Sequence, residues 1–460
     1  MKEQLRRLLG RMDADYADVR YEDNQKTAIR YEGPDLRQIA TYSTSGGHVR
    51  AYARGGKALG SFSHLEDGEE IARQTSAAAG QAAQRRDRKL RLAEAPALTD
   101  EFPVEPEHDP RTVSLADKHA LVEHYNRMIL KAPGVATTIC EYDEFSSRRV
   151  FVNTEGTAIA YDLLIVNIAG LIVVRGGGVV QQVRFAFGGS DEFGRVLDRD
   201  DDLQDRIATA CRLLTAQPAR AGVFPVVLDP DEAGVFIHEA FGHLSEADGL
   251  QGNPSFREKL ALDRELGREI LNVSDDPSLL GQPGGYMVDD EGVLGVKTSL
   301  IRHGRLSGRL HSRETAAEFG EPLSGNMRAV DHQFTPIVRM SNILIESGDS
   351  TFDDMVASIE DGYYLVGARG GQTSGDQFSF GAQWGYRIEG GRLGPMVRDI
   401  NMSGELFSTL QAISMIGDDV TFGERGGCGK GGGGPMQLNR KSGKGAPHIK
   451  IDHVTVGGAS

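Results

Sequence analysis

The chain has 460 residues, and its 66 Asp and Glu against 51 Lys and Arg give a formal net charge of −15 at pH 7. This length allows two or three domains, and an acidic chain without a basic block argues against nucleic-acid binding. The 3 cysteines have no paired spacing, which argues against a disulfide scaffold and favours a reducing cytoplasm.

The apolar segments do not indicate a membrane protein. Residues 1–9 are amphipathic and lack the apolar stretch of a signal peptide. The strongest apolar run, at residues 163–174, is too short to cross a bilayer as a helix and is typical of a strand. We therefore expect a cytoplasmic protein with no membrane partner.

The first half of the chain predicts two regions joined by a linker. Residues 1–91 show a helix, hairpin-like alternation and a second helix, which indicate an N-terminal α/β domain. Residues 92–112 are rich in proline and acidic residues and are predicted to be the linker. Residues 113–220 show a helix, a β-meander with glycine turns and another helix, which indicate a middle α+β region.

Residues 221–460 predict a β-rich C-terminal domain that opens with a strand and a helix. After an apolar strand pattern, Asp229 is a good N-cap, Pro230 suits the first helical position, and Glu232 completes a capping-box-like pattern. Many short strands and glycine-rich turns follow. The predicted fold class is therefore α+β, with a mixed α/β N-terminal region and a β-rich C-terminal domain that carries this helix.

The helix holds the side chains with the clearest chemistry. His238, Glu239 and His243 form an H-E-x-x-x-H pattern, in which imidazoles can bind zinc and the carboxylate can activate water. At about 100° per residue, the two histidines would lie roughly 140° apart in a regular helix and could not face one ion. A π-type turn would bring them together, and Gly242 would let the backbone relax. The pattern predicts a distorted helix; the alternative is two ordinary hydrogen-bonded histidines.

A catalytic zinc site usually has three protein ligands, so a third ligand must come from elsewhere in the chain. Cys140 lies in a strand pattern and Cys211 in a helix pattern, where both are expected to pack. Cys428 lies in a glycine-rich loop between Arg425 and Lys430, whose positive charges favour the metal-binding thiolate. From these residues alone, a free thiol in a flexible loop is at least as good an interpretation.

Two further groups of residues could lie near this site and support its function. Glu246 and Asp248 follow His243 and could orient a ligand imidazole, although a solvated helix end is favoured for Asp248. The glycine-rich stretch 370–375 could lie against a peptide, and an ordinary surface turn is equally compatible with it. The sequence assigns no residue firmly to substrate binding.

Together these motifs resemble the TldD/PmbA family of metallopeptidases. The similarity rests on the H-E-x-x-x-H helix, the late Cys428-Gly429-Lys430 segment and the Thr-Val-Gly-Gly sequence at 455–458. It extends over most of the chain through stretches at residues 46–52, 56–62, 150–156, 226–248, 289–292 and 323–326. The glycines at 431–434 depart from the family, which often has a glutamine soon after the lysine.

The resemblance implies a metal-bearing, TldD-type chain. It implies Zn²⁺ held by His238, His243 and Cys428, and Glu239 as general base in the hydrolysis of peptide bonds by a metal-activated water. The implied substrates are extended peptides or small unfolded proteins. The implied assembly is a dimer with a second copy or with a PmbA/TldE-type subunit. The alternatives are a non-catalytic peptide-binding subunit, or a structural zinc protein that partners another protease subunit.

Overall fold

The structure is a computed structural model that describes residues 1–86, 88–251, 253–424, 426–431 and 435–457, apart from the side chain of Ser374. Arg425, the glycines at 432–434 and Gly458, all named in the sequence motifs, lie outside the described residues.

One large sheet with long antiparallel strands organises the N-terminal half. Its strands are β1 (Tyr16–Glu32), β2 (Asp35–Ala53), β3 (Gly56–Phe62), β4 (Glu101–Phe102), β5 (Val135–Asn153), β6 (Ala158–Gly176) and β7 (Val179–Ser190). They lie in the order β3-β2-β1-β5-β6-β4, with β7 also paired to β6. The helices of this half are α1 (Lys2–Leu9), α2 (Gly68–Ala83), α3 (Leu115–Lys131) and α4 (Asp200–Leu213). α1 and α2 pack near β1–β3, and α3 and α4 pack against β5 and β7.

The domain bounds at residues 91, 112 and 220 remain predictions. Strands on both sides of the 92–112 segment share the large sheet, because β1 pairs with β5 from Asp18 to Glu32. The segment itself contributes β4, which runs parallel to β6. The segment predicted as a linker therefore adds a short strand to this sheet.

The C-terminal half contains many short strands. They are β8 (Gln217–Pro218), β9 (Gly222–Leu228), β10 (Val273–Asp275), β11 (Thr298–Arg302), β12 (Arg305–Leu306), β13 (Met327–Arg328), β14 (Ile337–Val338), β15 (Asn342–Ile345), β16 (Asp361–Ser374), β17 (Gln377–Glu389), β18 (Arg392–Arg398), β19 (Asn401–Glu405), β20 (Ile413–Ile416), β21 (Thr421–Phe422), β22 (Cys428–Lys430), β23 (Gln437–Asn439), β24 (Gly443–Ala446) and β25 (Ile449–Gly457). Its helices are α5 (Pro230–Ile237), α6 (His243–Ser245), α7 (Pro254–Lys259), α8 (Arg313–Phe319), α9 (Phe352–Ala357) and α10 (Leu406–Gln411). Among the described residues, no helix is long and apolar enough to cross a membrane.

Two sheets of the C-terminal half enclose α5. One sheet has the order β16-β9-β25-β19-β17-β18-β8, and an added β16–β17 pairing closes its first five strands into a ring. The other has the order β12-β11-β10-β15-β24-β21. Because α5 packs against β16 of the first sheet and β24 of the second, it is held from both sides. The predicted α+β class, with a β-rich C-terminal domain, is confirmed.

A buried ion network joins the large N-terminal sheet to the C-terminal half. Arg149 Nη1 lies 2.8 Å from Asp290 Oδ1, and Arg20 Nη1 lies 3.0 Å from Asp290 Oδ2. Burial raises the pKa of Asp290, but the two arginines outweigh it and lower the pKa overall. Asp290 Oδ2 also accepts a hydrogen bond from Ala329 N at 2.7 Å, so the network anchors the chain beside β13.

Candidate metal centre

The helix that carries the histidines begins where the sequence predicts. β9 leads into Asp229, whose side chain accepts a hydrogen bond from Glu232 N at 2.8 Å, and Pro230 occupies the first helical position. Near the C-terminal end of α5, the Phe236 ring packs edge-on against Phe378 and Phe380 at centroid distances of 5.5 and 6.0 Å. This packing makes α5 a rigid platform for the residues at its C-terminal end.

A π-helical turn follows α5 and brings the two histidines together. The turn spans His238–Gly242, and α6 starts at His243. The ring centroids of His238 and His243 are 5.1 Å apart. The distorted helix predicted from their spacing is thus present, and both imidazoles face the same region.

Gly242 has a different role from the predicted one. Its φ of −55° and ψ of −47° are ordinary helical values, so the turn does not use the conformational freedom of glycine. A Cβ atom at this position would lie 2.2 Å from Met340 Sδ and 2.8 Å from Ile343 Cδ1. Gly242 therefore leaves room for the side chains of Met340 and Ile343, which pack closely against the turn.

Gly242→Ala is expected to lower the free energy of unfolding by about 1–3 kcal/mol, because an added methyl overpacks this contact. Urea denaturation followed by circular dichroism measures the change. Gly249→Ala is the matched control, since a Cβ at Gly249 meets nothing within 4 Å and should leave stability near that of the wild type. Equal stability of the two variants would contradict the packing role of Gly242.

Three side chains converge into a set that could hold a metal ion. The ligand atoms of His238, His243 and Cys428 all lie within 4.8 Å of one another, and His243 Nε2 is 3.2 Å from Cys428 Sγ. His238 is fully buried, and among the described residues neither of its ring nitrogens has a hydrogen-bond partner. Burial, and then the charge of Lys444, lower its pKa well below the usual value, so the imidazole is neutral. A neutral, unpaired imidazole beside another imidazole and a thiol fits a Zn²⁺ site.

Glu246 orients the second histidine. Its Oε2 accepts a hydrogen bond from His243 Nδ1 at 2.9 Å, which leaves Nε2 directed toward Cys428. Burial lowers the pKa of His243, but its contacts with Cys428 and Glu246 raise it overall to about 10. Burial likewise raises the pKa of Glu246, but Lys430 and His243 outweigh it and lower the pKa to about 2. The suggested orienting contact of Glu246 is therefore present.

Cys428 lies on a hairpin strand, not in the predicted glycine-rich loop. Its strand β22 pairs antiparallel with β23, so that Cys428 is opposite Asn439. The guanidinium of Arg339 donates to Cys428 O at 2.5 Å and to Gln437 O at 3.1 Å. These contacts fix the backbone of the hairpin where its thiol faces His243.

Glu239 lies close to His243 and lines a large cavity. Its Oε2 is 3.9 Å from His243 Nε2, and its own carbonyl oxygen accepts a hydrogen bond from Thr373 Oγ1 at 3.0 Å. The side chain is 27% exposed and lines a cavity of about 1370 Å³. Gly370 and Gly371 also line this cavity. The carboxylate of Glu239 is thus close both to the candidate metal-binding side chains and to any molecule that enters the cavity.

Comparison with known proteins identifies the family. Residues 221–458 match the family model described as PmbA/TldA metallopeptidase C-terminal domain. A metalloprotease of Synechocystis sp. is 35% identical over 463 residues, which cover 100% of this chain and 98% of that protein. The chain belongs to the PmbA/TldD metallopeptidase family. The predicted resemblance is thereby confirmed.

A further relative and a solved structure are also similar to this chain of the PmbA/TldD family. A protein of Saccharolobus solfataricus named zinc metalloprotease TldD homolog is 32% identical over 351 residues, covering 74% of this chain and 75% of that protein. The crystal structure of TldE from Thermococcus kodakarensis has a TM-score of 0.75 at 17% identity and covers 100% of both chains. At that identity, the likeness to TldE shows a shared fold.

Several residues around this PmbA/TldD-family site have contacts that sequence reasoning missed. Asp248, favoured as a solvated residue, accepts hydrogen bonds from Lys430 Nζ at 2.6 Å and from Val338 N at 3.1 Å. Arg339 had no signal in the sequence, and the stretch 370–375 gave no indication that Thr373 binds Glu239, because both contacts join distant elements. Lys430 stood in the family motif, but the motif did not reveal what the lysine binds.

Proposed function

We propose that this chain is a zinc-dependent peptidase that cleaves peptide bonds in extended or unfolded peptides. The observation that carries the proposal is the convergence of His238, His243 and Cys428, with His243 close to Glu239, whose side chain lines the cavity. Two imidazoles and one thiolate suit tetrahedral Zn²⁺ with one open position for a reactant.

The residues of the site would have different roles in peptide-bond hydrolysis. Zinc, when bound, would supply Lewis-acid activation of water and of the scissile carbonyl group. Glu239 would take a proton from the attacking water and return it to the leaving amine. Glu246 would hold the His243 ring so that Nε2 is the ligand atom.

The cavity supports an extended peptide as substrate. Its volume of about 1370 Å³ exceeds the roughly 300–1,000 Å³ of common small-molecule sites. Within the described residues, β16 pairs with β9 only at residues 363–365, so the edge near Gly370 and Gly371 has no second strand beside it. A peptide strand could bind there through its backbone, with little demand on its sequence.

We also propose that the chain forms a dimer and is located in the cytoplasm. We expect a dimer, either with a second copy or with a PmbA/TldE-type subunit, and the shared fold with TldE supports such a partner. The three cysteines, all among the described residues, are free thiols, which supports a cytoplasmic location.

Metal content tests the proposed ligand set. We expect about one zinc ion per wild-type chain after dialysis, and a sharp loss in Cys428→Ala because a three-ligand site would keep two ligands. Inductively coupled plasma mass spectrometry measures both. Cys211→Ala is the matched control, since this thiol lies on α4 and donates to Pro133 O at 3.3 Å; it should keep its zinc.

Two outcomes would contradict the proposal. Full zinc retention in Cys428→Ala would remove Cys428 from the ligand set. A wild-type chain that binds no zinc even after addition of ZnCl₂ would favour the alternative of a peptide-binding subunit without metal chemistry.

A further inference from the structure

Lys430 connects the hairpin that bears Cys428 to the helix that bears His243. Its ammonium group lies 3.0 Å from Glu246 Oε2 and 2.6 Å from Asp248 Oδ1. It also donates to Val338 O at 2.9 Å. An ammonium group has three N–H donors, so these three acceptors satisfy it completely. The side chain is only 15% exposed, so the contacts are poorly screened by water.

Glu246 is the shared partner in this arrangement. The same Oε2 atom lies 2.9 Å from His243 Nδ1 and 3.0 Å from Lys430 Nζ, and Oε1 accepts a hydrogen bond from Met340 N at 3.3 Å. One buried carboxylate therefore contacts a proposed ligand histidine and the lysine that stands two positions after the proposed ligand cysteine. Because Glu246 follows His243 on the same segment, a shift of the hairpin relative to that segment would break the contact between Lys430 and Glu246.

The hairpin has a second anchor that does not involve Lys430. Arg339 donates to the carbonyl oxygens of Cys428 and Gln437 and holds the hairpin backbone. Loss of the lysine contacts would thus leave the hairpin attached through Arg339, but would remove its ion pairs with Glu246 and Asp248. The expected consequence is a change in the position of the Cys428 thiol relative to His243.

We propose that Lys430 is a positioning residue which, through Glu246 and Asp248, sets the Cys428 thiol and the His243 ring at metal-binding distance before any ion binds. This inference rests on the proposed ligand set. Residues that hold ligands in place without touching the metal typically contribute 10–100-fold to metal affinity. The role requires a compact cation that can meet three acceptors, which an uncharged side chain cannot provide.

Cobalt binding to the full-length protein tests the inference. We expect Lys430→Met to bind Co²⁺ about 10–100-fold more weakly than the wild type, measured by competition with a chelator. We also expect a weaker thiolate-to-cobalt charge-transfer band, which reports contact between Cys428 and the ion. Asp248→Asn removes one partner of the lysine without touching Glu246, and should give an intermediate loss in both measurements.

A matched control separates this role from a general effect of removing a lysine. Lys297 pairs with Glu346 at 2.7 Å and is 54% exposed, and Lys297→Met should keep the wild-type affinity and band. Unchanged affinity and a full band in both Lys430→Met and Asp248→Asn would overturn the positioning role while leaving the ligand set intact. A wild-type protein without any charge-transfer band would overturn the ligand set itself, and this inference with it.

Discussion

Glu239→Gln is expected to lower kcat for peptide hydrolysis by about 10²–10⁴-fold, the usual contribution of a general acid–base group. Glutamine keeps the size of the side chain but cannot take up a proton. The bound zinc should stay at the wild-type level, because the three converging ligand atoms belong to His238, His243 and Cys428. The measurement is the appearance of new peptide termini by mass spectrometry in a library of short unstructured peptides, together with metal content.

The controls for this experiment distinguish an enzyme from a binding subunit. Glu258→Gln changes an exposed glutamate on α7 and should cleave peptides at the wild-type rate. Undiminished cleavage by Glu239→Gln would exclude Glu239 as the general base. Absence of cleavage by the zinc-loaded wild type, with and without a PmbA/TldE-type chain, would favour a structural zinc or a peptide-binding role.

The helix and its distortion could be predicted because they depend on residues close together in sequence. Asp229 and Pro230 act within the first turn of α5, and the sequence places both beside an apolar strand. The five-residue spacing of His238 and His243 conflicts with a helical period of about 3.6 residues, and a π turn resolves that conflict. Local geometry was sufficient in both cases.

The contacts that complete the site could not be predicted from local patterns, because they join distant parts of the chain. Cys428 and His243 are 185 positions apart, and Lys430 and Asp248 are 182 positions apart. Only the family resemblance placed the cysteine with the histidines. Gly242 shows the same limit, since the atoms that would crowd a larger side chain there belong to Met340 and Ile343 on another segment.

Asp290→Asn is expected to lower the free energy of unfolding by about 3–5 kcal/mol, the cost of leaving buried charges without a partner. Asp290 lies within 3.0 Å of both Arg20 and Arg149. Among the described residues, these two arginines would then keep Glu22 as their buried counter-charge. The pKa of Asp290 is lowered in the folded chain. Its contribution to the free energy of unfolding is therefore fully present above the ordinary aspartate pKa, and is lost as the pH falls from there through the lower pKa of the folded state. Urea denaturation at pH 7 therefore measures the full effect.

A double variant of Arg20 and Asp290 tests whether the two residues interact as a charge pair. Arg20 and Arg149 balance Glu22 and Asp290 in the wild type, and Asp290→Asn leaves one excess positive charge in a buried place. Adding Arg20→Met removes that excess, so the double variant should be less destabilised than the sum of the two single variants. Asp349→Asn, at an exposed aspartate, should change stability by less than about 0.5 kcal/mol. Strict additivity would mean that the two residues do not act as a charge pair. A destabilisation of the double variant smaller than that sum would identify the network as an electrostatic contact between the large N-terminal sheet and the C-terminal half, which carries the candidate metal site.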